Sequence, residues 1–420
     1  MGMNPQTSLA THRRSFLKGV TAGALGVAGS HWLSSPLMAA AKPQYRGPNV
    51  ILIRFGGGTR PAEAVNPDPN KNFAPYFYNV LAKRGTLFKN MMIDSFTPTV
   101  GVDTSHGQGT MYLLTGKYEK LKGVSHDPDF KKKHPAVDLQ LFDDRFESKV
   151  PNFFEYFRKS FDVPSHQSLI INSEDRNNEE FYTYSLHAGW GIDYKCEALS
   201  LYRYKTWLLR QKIAEGKWKD KELEKKKMEL AKLEKIDFRR EEAQGQIPEL
   251  KRFWERWRAY YGDTGFVNPR GDRLLTELSI RAMKEIRPKL MMINFQDCDY
   301  VHWGIASQYT RAVAIMDEGL KQIVAACDAD EEYRDNTIFV VVPDCGRDNN
   351  SLCDVPFQHH FNTKAAHEIF CLIAGPKRFV AQGKLIKSAV DQIQVASTVG
   401  QLMGFKSEHA ENTLLAPAFA

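Results

Sequence analysis

Residues 338–342, Ile-Phe-Val-Val-Val, form an unbroken apolar and largely β-branched run that empties into Pro343-Asp344-Cys345-Gly346-Arg347-Asp348. A run without polar alternation is the pattern of a strand covered on both faces, as in a parallel sheet. In open α/β sheets the carboxyl ends of the strands leave the crevice in which ligands bind. The charged group after residue 342 therefore sits where chemistry is expected. Two other stretches repeat the arrangement. Residues 49–55 read as a buried strand that ends in Gly56-Gly57-Gly58-Thr59-Arg60, and residues 288–295 as one that ends in Gln296-Asp297-Cys298-Asp299-Tyr300-Val301-His302. Three glycines permit positive φ and close approach of a backbone to a ligand. A tight turn and an anion cradle both fit them.

Between these strands, apolar spacing predicts helices over 73–85, 111–115, 151–159, 272–286, 309–326 and 389–400, with further strands over 86–92, 168–171 and 369–374. Such alternation of strand and helix is the mark of an α/β layer fold. The chain has 420 residues, 42% of them hydrophobic and 25% charged, which suits one large α/β domain carrying an insertion. Residues 202–261 are dense in Lys, Glu and Arg, with Pro248 the sole proline. They predict two or three long helices facing solvent, and a surface for a protein partner or a cap over the substrate is the other reading. The organisation expected is a leader over 1–41, the first part of the core over 42–195, the charged insertion over 196–270 and the second part of the core over 271–420. No internal repeat is present. A formal net charge of +7, spread over leader and insertion, forms no basic groove and argues against a nucleic-acid partner.

The leader contains Arg13-Arg14-Ser15-Phe16-Leu17-Lys18, a weakly apolar stretch over 19–29 and Ala39-Ala40-Ala41. This resembles a bacterial twin-arginine export signal. The resemblance implies a mature chain starting near Lys42 in the periplasm or another extracytoplasmic compartment, delivered folded. No later apolar run is long enough to predict a transmembrane segment. Six cysteines lack zinc or haem spacing. An oxidising compartment permits a bridge, with Cys345 to Cys353 or Cys298 the candidate pairs.

Carboxylates and imidazoles delivered by separate strand ends are what divalent metals require. A lone Asp at a strand end commonly caps a helix and a lone His packs in a core; their coincidence at one sheet edge is what carries the metal reading. Asp299, His302, Asp344 and His360 are the primary candidates, with His359 and Asp297 beside them. Such ligands suit zinc, manganese or iron, and two ions roughly 3.5–4 Å apart clamp the attacking and leaving oxygens of a phosphoryl or sulfuryl transfer. Thr104, Ser105 and His106 are candidates for nucleophile and assistant, because a hydroxyl next to a metal attacks an ester centre and an imidazole ligates metal or moves a proton. A capping loop ahead of the next helix explains the same residues. Arg347 and Arg60 could hold an oxyanion with a bidentate fork, near Gly57.

The order of these parts resembles the alkaline phosphatase superfamily, and within it the sulfatase-like branch. Residues 49–60 are similar to its opening strand and turn, 73–92 to its helix-Gly-strand segment, Leu113-Leu114-Thr115-Gly116-Lys117-Tyr118 to the tail of its nucleophile motif, and 336–346 and 368–376 to its late strands. The resemblance implies an alkaline-phosphatase-like, mostly parallel sheet with helices on both faces. It also implies a metal-dependent hydrolase acting on a small-molecule or glycan ester of phosphate or sulfate. The departures fall on the chemistry. Gly56-Gly57-Gly58 hold the place of the first metal Asp, and Cys345 that of the usual His. His106 occupies the counted nucleophile position, and Asp299 and His302 are separated by two residues where the phosphatase spacing is three. One site would rest on Asp299, His302 and His360. The other would rest on Asp344, Cys345 and His106, a thiolate-containing set suited to zinc, so one or two zinc ions are expected, with manganese, iron or calcium the other fits. The alternative function is a catalytically degenerate sulfatase-like protein that acts as a binding or structural component.

Overall fold

The computed structural model describes residues 42–94, 102, 104–118, 122–125, 144–173, 182–235, 247–263, 271–302, 304–348, 357–359, 363–411 and 413–420. His360, Cys353, Asp103 and the whole leader, 1–41, lie outside the described residues. Residues 42–420 form one compact unit.

A nine-stranded sheet runs in the order β10-β2-β9-β8-β1-β7-β5-β6, with β11 also on β2. Its strands are β1 (Asn49–Phe55), β2 (Gly85–Met92), β5 (Ser168–Asn172), β6 (Glu197–Ser200), β7 (Leu290–Phe295), β8 (Thr337–Val342), β9 (Glu368–Ala374), β10 (Lys384–Ile386) and β11 (Val390–Asp391). Strands β3 (Lys122–Ser125) and β4 (Asp144–Glu147) pair separately as an antiparallel hairpin. In the main sheet β1 is parallel to both β7 and β8, and β5 is parallel to β7 and β6. β9 alone runs antiparallel to its neighbours β8 and β2. Every residue of β1, β7 and β8 is buried, as unbroken apolar runs require.

Helices cover both faces. They are α1 (Pro61–Ala64), α2 (Pro75–Asn79), α3 (His106–Thr115), α4 (Phe153–Ser160), α5 (Leu201–Ala214), α6 (Asp220–Lys235), α7 (Pro248–Tyr261), α8 (Asp272–Ile286), α9 (Ala306–Ala329), α10 (Lys364–His367) and α11 (Gln394–Met403). Side chains alternate across a strand, so Ile51, Ile53 and Phe55 of β1 enter one core with α5, α7, α8 and α9. Val50 and Leu52 enter the other core, with α3, α4 and α11.

The charged insertion is not the solvent-facing hairpin its composition predicts. Tyr204 and Trp207 of α5 and Leu250, Phe253, Trp254 and Trp257 of α7 are buried in the same core cluster as the sheet. Among the described residues of the insertion only α6 fits the expectation, with Met228 66% exposed. The lysines and glutamates hid an apolar stripe, Leu250, Phe253, Trp254 and Trp257, which recurs at helical spacing on one face.

Candidate metal centre

The carboxyl ends of β7, β1 and β8 lie side by side, because β1 is hydrogen-bonded to both of the others in parallel register. A 3-10 turn, Asp297–Val301, follows β7 and carries Asp299, with His302 at its end. Asp344 and Cys345 follow β8, and the glycine triplet follows β1. Helix α3 then lays its first residue, His106, between the two aspartates. Its start is fixed by Ser105, whose side chain accepts from the Gln108 N–H at 3.3 Å as an N-cap.

The His106 ring ties the site together. Its Nε2 lies 2.6 Å from Asp299 Oδ1, and its Nδ1 lies 2.9 Å from Asp344 Oδ2 and 3.7 Å from Cys345 Sγ. On the same Asp299 oxygen, His302 Nε2 is at 2.9 Å and His359 Nε2 at 3.5 Å. Two donor sets result, His106-Asp299-His302-His359 and His106-Asp344-Cys345, each with ligand atoms within 4.8 Å of one another. The two ring nitrogens point away from each other, so the sets open on different sides of His106.

These donors fit a divalent ion. Three imidazole nitrogens crowd one carboxylate oxygen that offers about two lone pairs, which is more than hydrogen bonding explains. Tetrahedral zinc bonds of about 2.0–2.2 Å place neighbouring ligand atoms about 3.3–3.6 Å apart, so the His359 separation of 3.5 Å already matches and those of His106 and His302, at 2.6 and 2.9 Å, would open as an ion enters. Nitrogen and oxygen donors suit zinc, manganese or iron, and a thiolate in the smaller set favours zinc.

The electrostatics favour charge at this edge. Burial works against ionisation of Asp299, yet His106 and the hydrogen bonds from His106, His302 and His359 hold its pKa well below the carboxylate range. Burial likewise opposes the charge of Asp344, while His106 and Arg54 hold its pKa low. Burial would lower the His106 pKa, but the two carboxylates outweigh it and raise it well above the ordinary value. The Cys345 thiol is pushed up to about 12 by burial and by Asp344.

Arg54 has no exposed surface and stands 3.5 Å from Asp344 Oδ2, with Thr110 of α3 also accepting from it. It was not among the residues expected from sequence. The signal was present, as an arginine inside the apolar run of β1 is not a buried-strand residue unless it is paired. Arg347 is also buried; its Nε donates to the Gly57 carbonyl at 3.0 Å, Phe357 O accepts from it too, and its Nη2 faces Asp299 Oδ1 at 3.6 Å. It braces the turn and offers no open fork. Gly57, at φ 78°, is required there: a Cβ would lie 2.5 Å from the Asp299 N. The triplet thus lets the two loops close on each other and supplies its carbonyl to Arg347.

Several expected positions fall elsewhere. Arg60 pairs with Glu63 and lies over the Tyr309 ring at 5.6 Å, with no bond to the cluster among the described contacts. The Thr104 hydroxyl donates to the His359 carbonyl, and His359 Nδ1 pairs with Thr104 O at 3.1 Å. Thr104 and Ser105 therefore hold the loop and the helix start. Asp297 accepts from the Asp272 N–H at 3.2 Å, outside both donor sets. His359 stands in the cluster, while its neighbour His360 lies outside the described residues. Cys298 and Cys345 are both free and buried, so the bridge considered between them is absent.

No protein-family model matches the chain, and no curated protein matches it. Solved structures do. A protein in the alkaline phosphatase superfamily from Vibrio parahaemolyticus is 13% identical over 89% of this chain and 71% of that one, with a TM-score of 0.50. Ps i-CgsB is 15% identical over 89% of this chain and 76% of that one, also at 0.50. The phosphonate monoester hydrolase of Agrobacterium radiobacter is 11% identical over 88% and 76%, at 0.47. The first two likenesses establish an alkaline-phosphatase-like fold, as the resemblance implied.

Proposed function

We propose that the chain is a metal-dependent hydrolase of phosphate or sulfate esters, built on the alkaline-phosphatase-like fold. The observation that carries the reading is the convergence of His106, His302 and His359 on one oxygen of Asp299. Function belongs to the site and not to the scaffold, so the fold contributes only the sheet edge on which this cluster stands. Asp299, His302, His359 and His106 would hold one ion, and Asp344, Cys345 and His106 would hold a second. When bound, an ion there supplies Lewis acidity toward an ester oxygen.

The chain's own residues set the rest. Arg54 and Arg347 bring two buried positive charges beside the aspartates, which favours an anionic substrate. Thr104 aligns His359, and Ser105 fixes the start of α3 so that His106 faces both carboxylates. The Thr104 hydroxyl donates to the His359 carbonyl and the Ser105 oxygen accepts from the Gln108 N–H, which favours water over either side chain as the attacking group. Residues 1–41 act as the twin-arginine export signal, supported by Arg13-Arg14 and the alanines at 39–41. The substrate is a small-molecule or glycan ester.

The test is zinc or manganese titration together with turnover of p-nitrophenyl phosphate, sulfate and phenylphosphonate. Ion binding with cleavage of one ester supports the reading. A second reading, a binding protein without turnover, is favoured by the occupied hydroxyls of Thr104 and Ser105 and by glycine in the first-acid position. Absence of cleavage of every ester, with or without a bound ion, selects it, and absence of ion binding removes the hydrolase reading.

A further inference from the structure

The turn that carries Asp299 is held from outside the cluster. Asp272 is the first residue of α8, immediately after the insertion, and it has no exposed surface. Its carboxylate does not cap its own helix. One oxygen accepts from the Gln296 N–H at 2.8 Å and the other from the Asp297 N–H at 2.9 Å. Those are the leading N–H groups of the 3-10 turn 297–301, which have no partner within such a turn. Asp297 answers by accepting from the Asp272 N–H at 3.2 Å, and Ser173, just past the end of β5, gives the Asp272 carboxylate a further hydrogen bond. The carbonyl of Gln296 in turn accepts from the Asp299 N–H at 2.9 Å. The chain of bonds thus runs from α8 through Gln296 to the backbone of the central ligand.

An acid could have been spared here, since burying a carboxylate is costly and a neutral residue could cap a turn. A carboxyl group offers two acceptor oxygens side by side, and two bonds to the N–H groups of consecutive residues fix both the position and the pitch of the turn. Partners of this kind orient metal ligands, and their loss costs about 10- to 100-fold in metal affinity.

We infer that Asp272 is a positioning residue for the metal centre, setting the placement of Asp299 through the Gln296–Asp297 backbone. This rests on the reading that the cluster holds an ion. Asp317 provides an internal control. It too is a buried carboxylate on two consecutive N–H groups, those of Tyr76 and Phe77 at 2.9 and 2.8 Å, but it braces α2 against α9 and does not touch the site-bearing turn.

The experiment is calorimetric titration of the whole chain with zinc chloride, in the native sequence and in D272N and D317N, with thermal midpoints measured on the metal-free proteins. D272N is expected to weaken zinc binding about 10- to 100-fold, while D317N leaves it within about 2-fold. Native affinity in D272N overturns the inference, as does an equal loss in both variants, which would be a general softening. Should D272N fail to fold, S173A removes a bond from the same carboxylate and is expected to weaken zinc binding several-fold; unchanged affinity there overturns the inference. If the native chain binds no ion at all, the metal-centre reading itself fails, a result distinct from native affinity in D272N.

Discussion

His106 and Asp299 are 193 positions apart in the chain, yet the Nε2 of one lies 2.6 Å from a carboxylate oxygen of the other. The opposite nitrogen of the same ring lies 2.9 Å from Asp344. A helix start and two strand ends therefore meet on one imidazole.

Removing that ring should empty both donor sets. H106A is expected to lower zinc affinity more than about 100-fold, beyond the range typical of an outer-shell change, and to abolish ester cleavage. Calorimetric titration of the variant checks it. H302A removes a ligand of one set only, so it should reduce the zinc bound while leaving the set with Cys345 able to bind.

Ser105 should behave as a cap. S105A is expected to cost about 1 kcal/mol of stability and to leave ester cleavage within a few-fold of native. Urea midpoints and turnover measured on the same preparation check both halves. Loss of all cleavage with zinc binding intact would make Ser105 the nucleophile.

Gly109 sits in α3 with its missing side chain directed at the main chain after β8; a Cβ would lie 2.0 Å from the Asp344 carbonyl. G109A is expected to destabilise the chain by about 1–3 kcal/mol, the usual cost of overpacking. It should also weaken ion binding, because α3 must move away from Asp344. The pair of readouts is a thermal midpoint and a zinc titration.

Asp317 gives a pH signature. Burial, opposed by the N–H groups of Phe77 and Tyr76, pushes its pKa up to about 6, against about 3.9 in an unfolded chain. The folded state therefore binds this proton more tightly. The resulting stabilisation is full below about pH 3.9 and is lost as pH rises through about 6, a swing of about 3 kcal/mol. Unfolding free energies from urea titrations at pH 4 and pH 7 should differ less, by about 2 kcal/mol, in D317N than in the native chain.

Much of the scaffold was legible because parallel strands announce themselves. The runs at 49–55 and 338–342 match β1 and β8 closely, and 272–286 matches α8. Asp299, His302, Asp344 and His359 follow from acids and imidazoles at the sheet edge and Cys345 from the family resemblance, and the structure brings their ligand atoms together. The sequence predicts helix α3 from 111, because the glycines at 107 and 109 argue against one; it starts at 106, and Gly109 is tolerated where α3 presses on the β8 end. Short edge strands such as β6 and β10 carry too few residues for a periodic signal. The insertion misled for a different reason: the charge on α7 lies on one face, and the composition averages over both.

What the sequence does not encode locally is distance. Arg54 inside the β1 run and Arg347 after β8 have no partner that the sequence names until β1 and β8 are paired and both are enclosed beside the aspartates. Arg60 looked equally able, and Glu63, three residues on, takes it.

The central claim is that an ion belongs between Asp299 and the three imidazoles around it. Crystals grown with zinc and measured on both sides of the zinc absorption edge test it most directly. An anomalous peak within about 2.0–2.2 Å of Asp299 Oδ1 and of the Nε2 atoms of His106 and His302 is the result predicted. No peak at Asp299 in crystals soaked with zinc, manganese and iron in turn would contradict it.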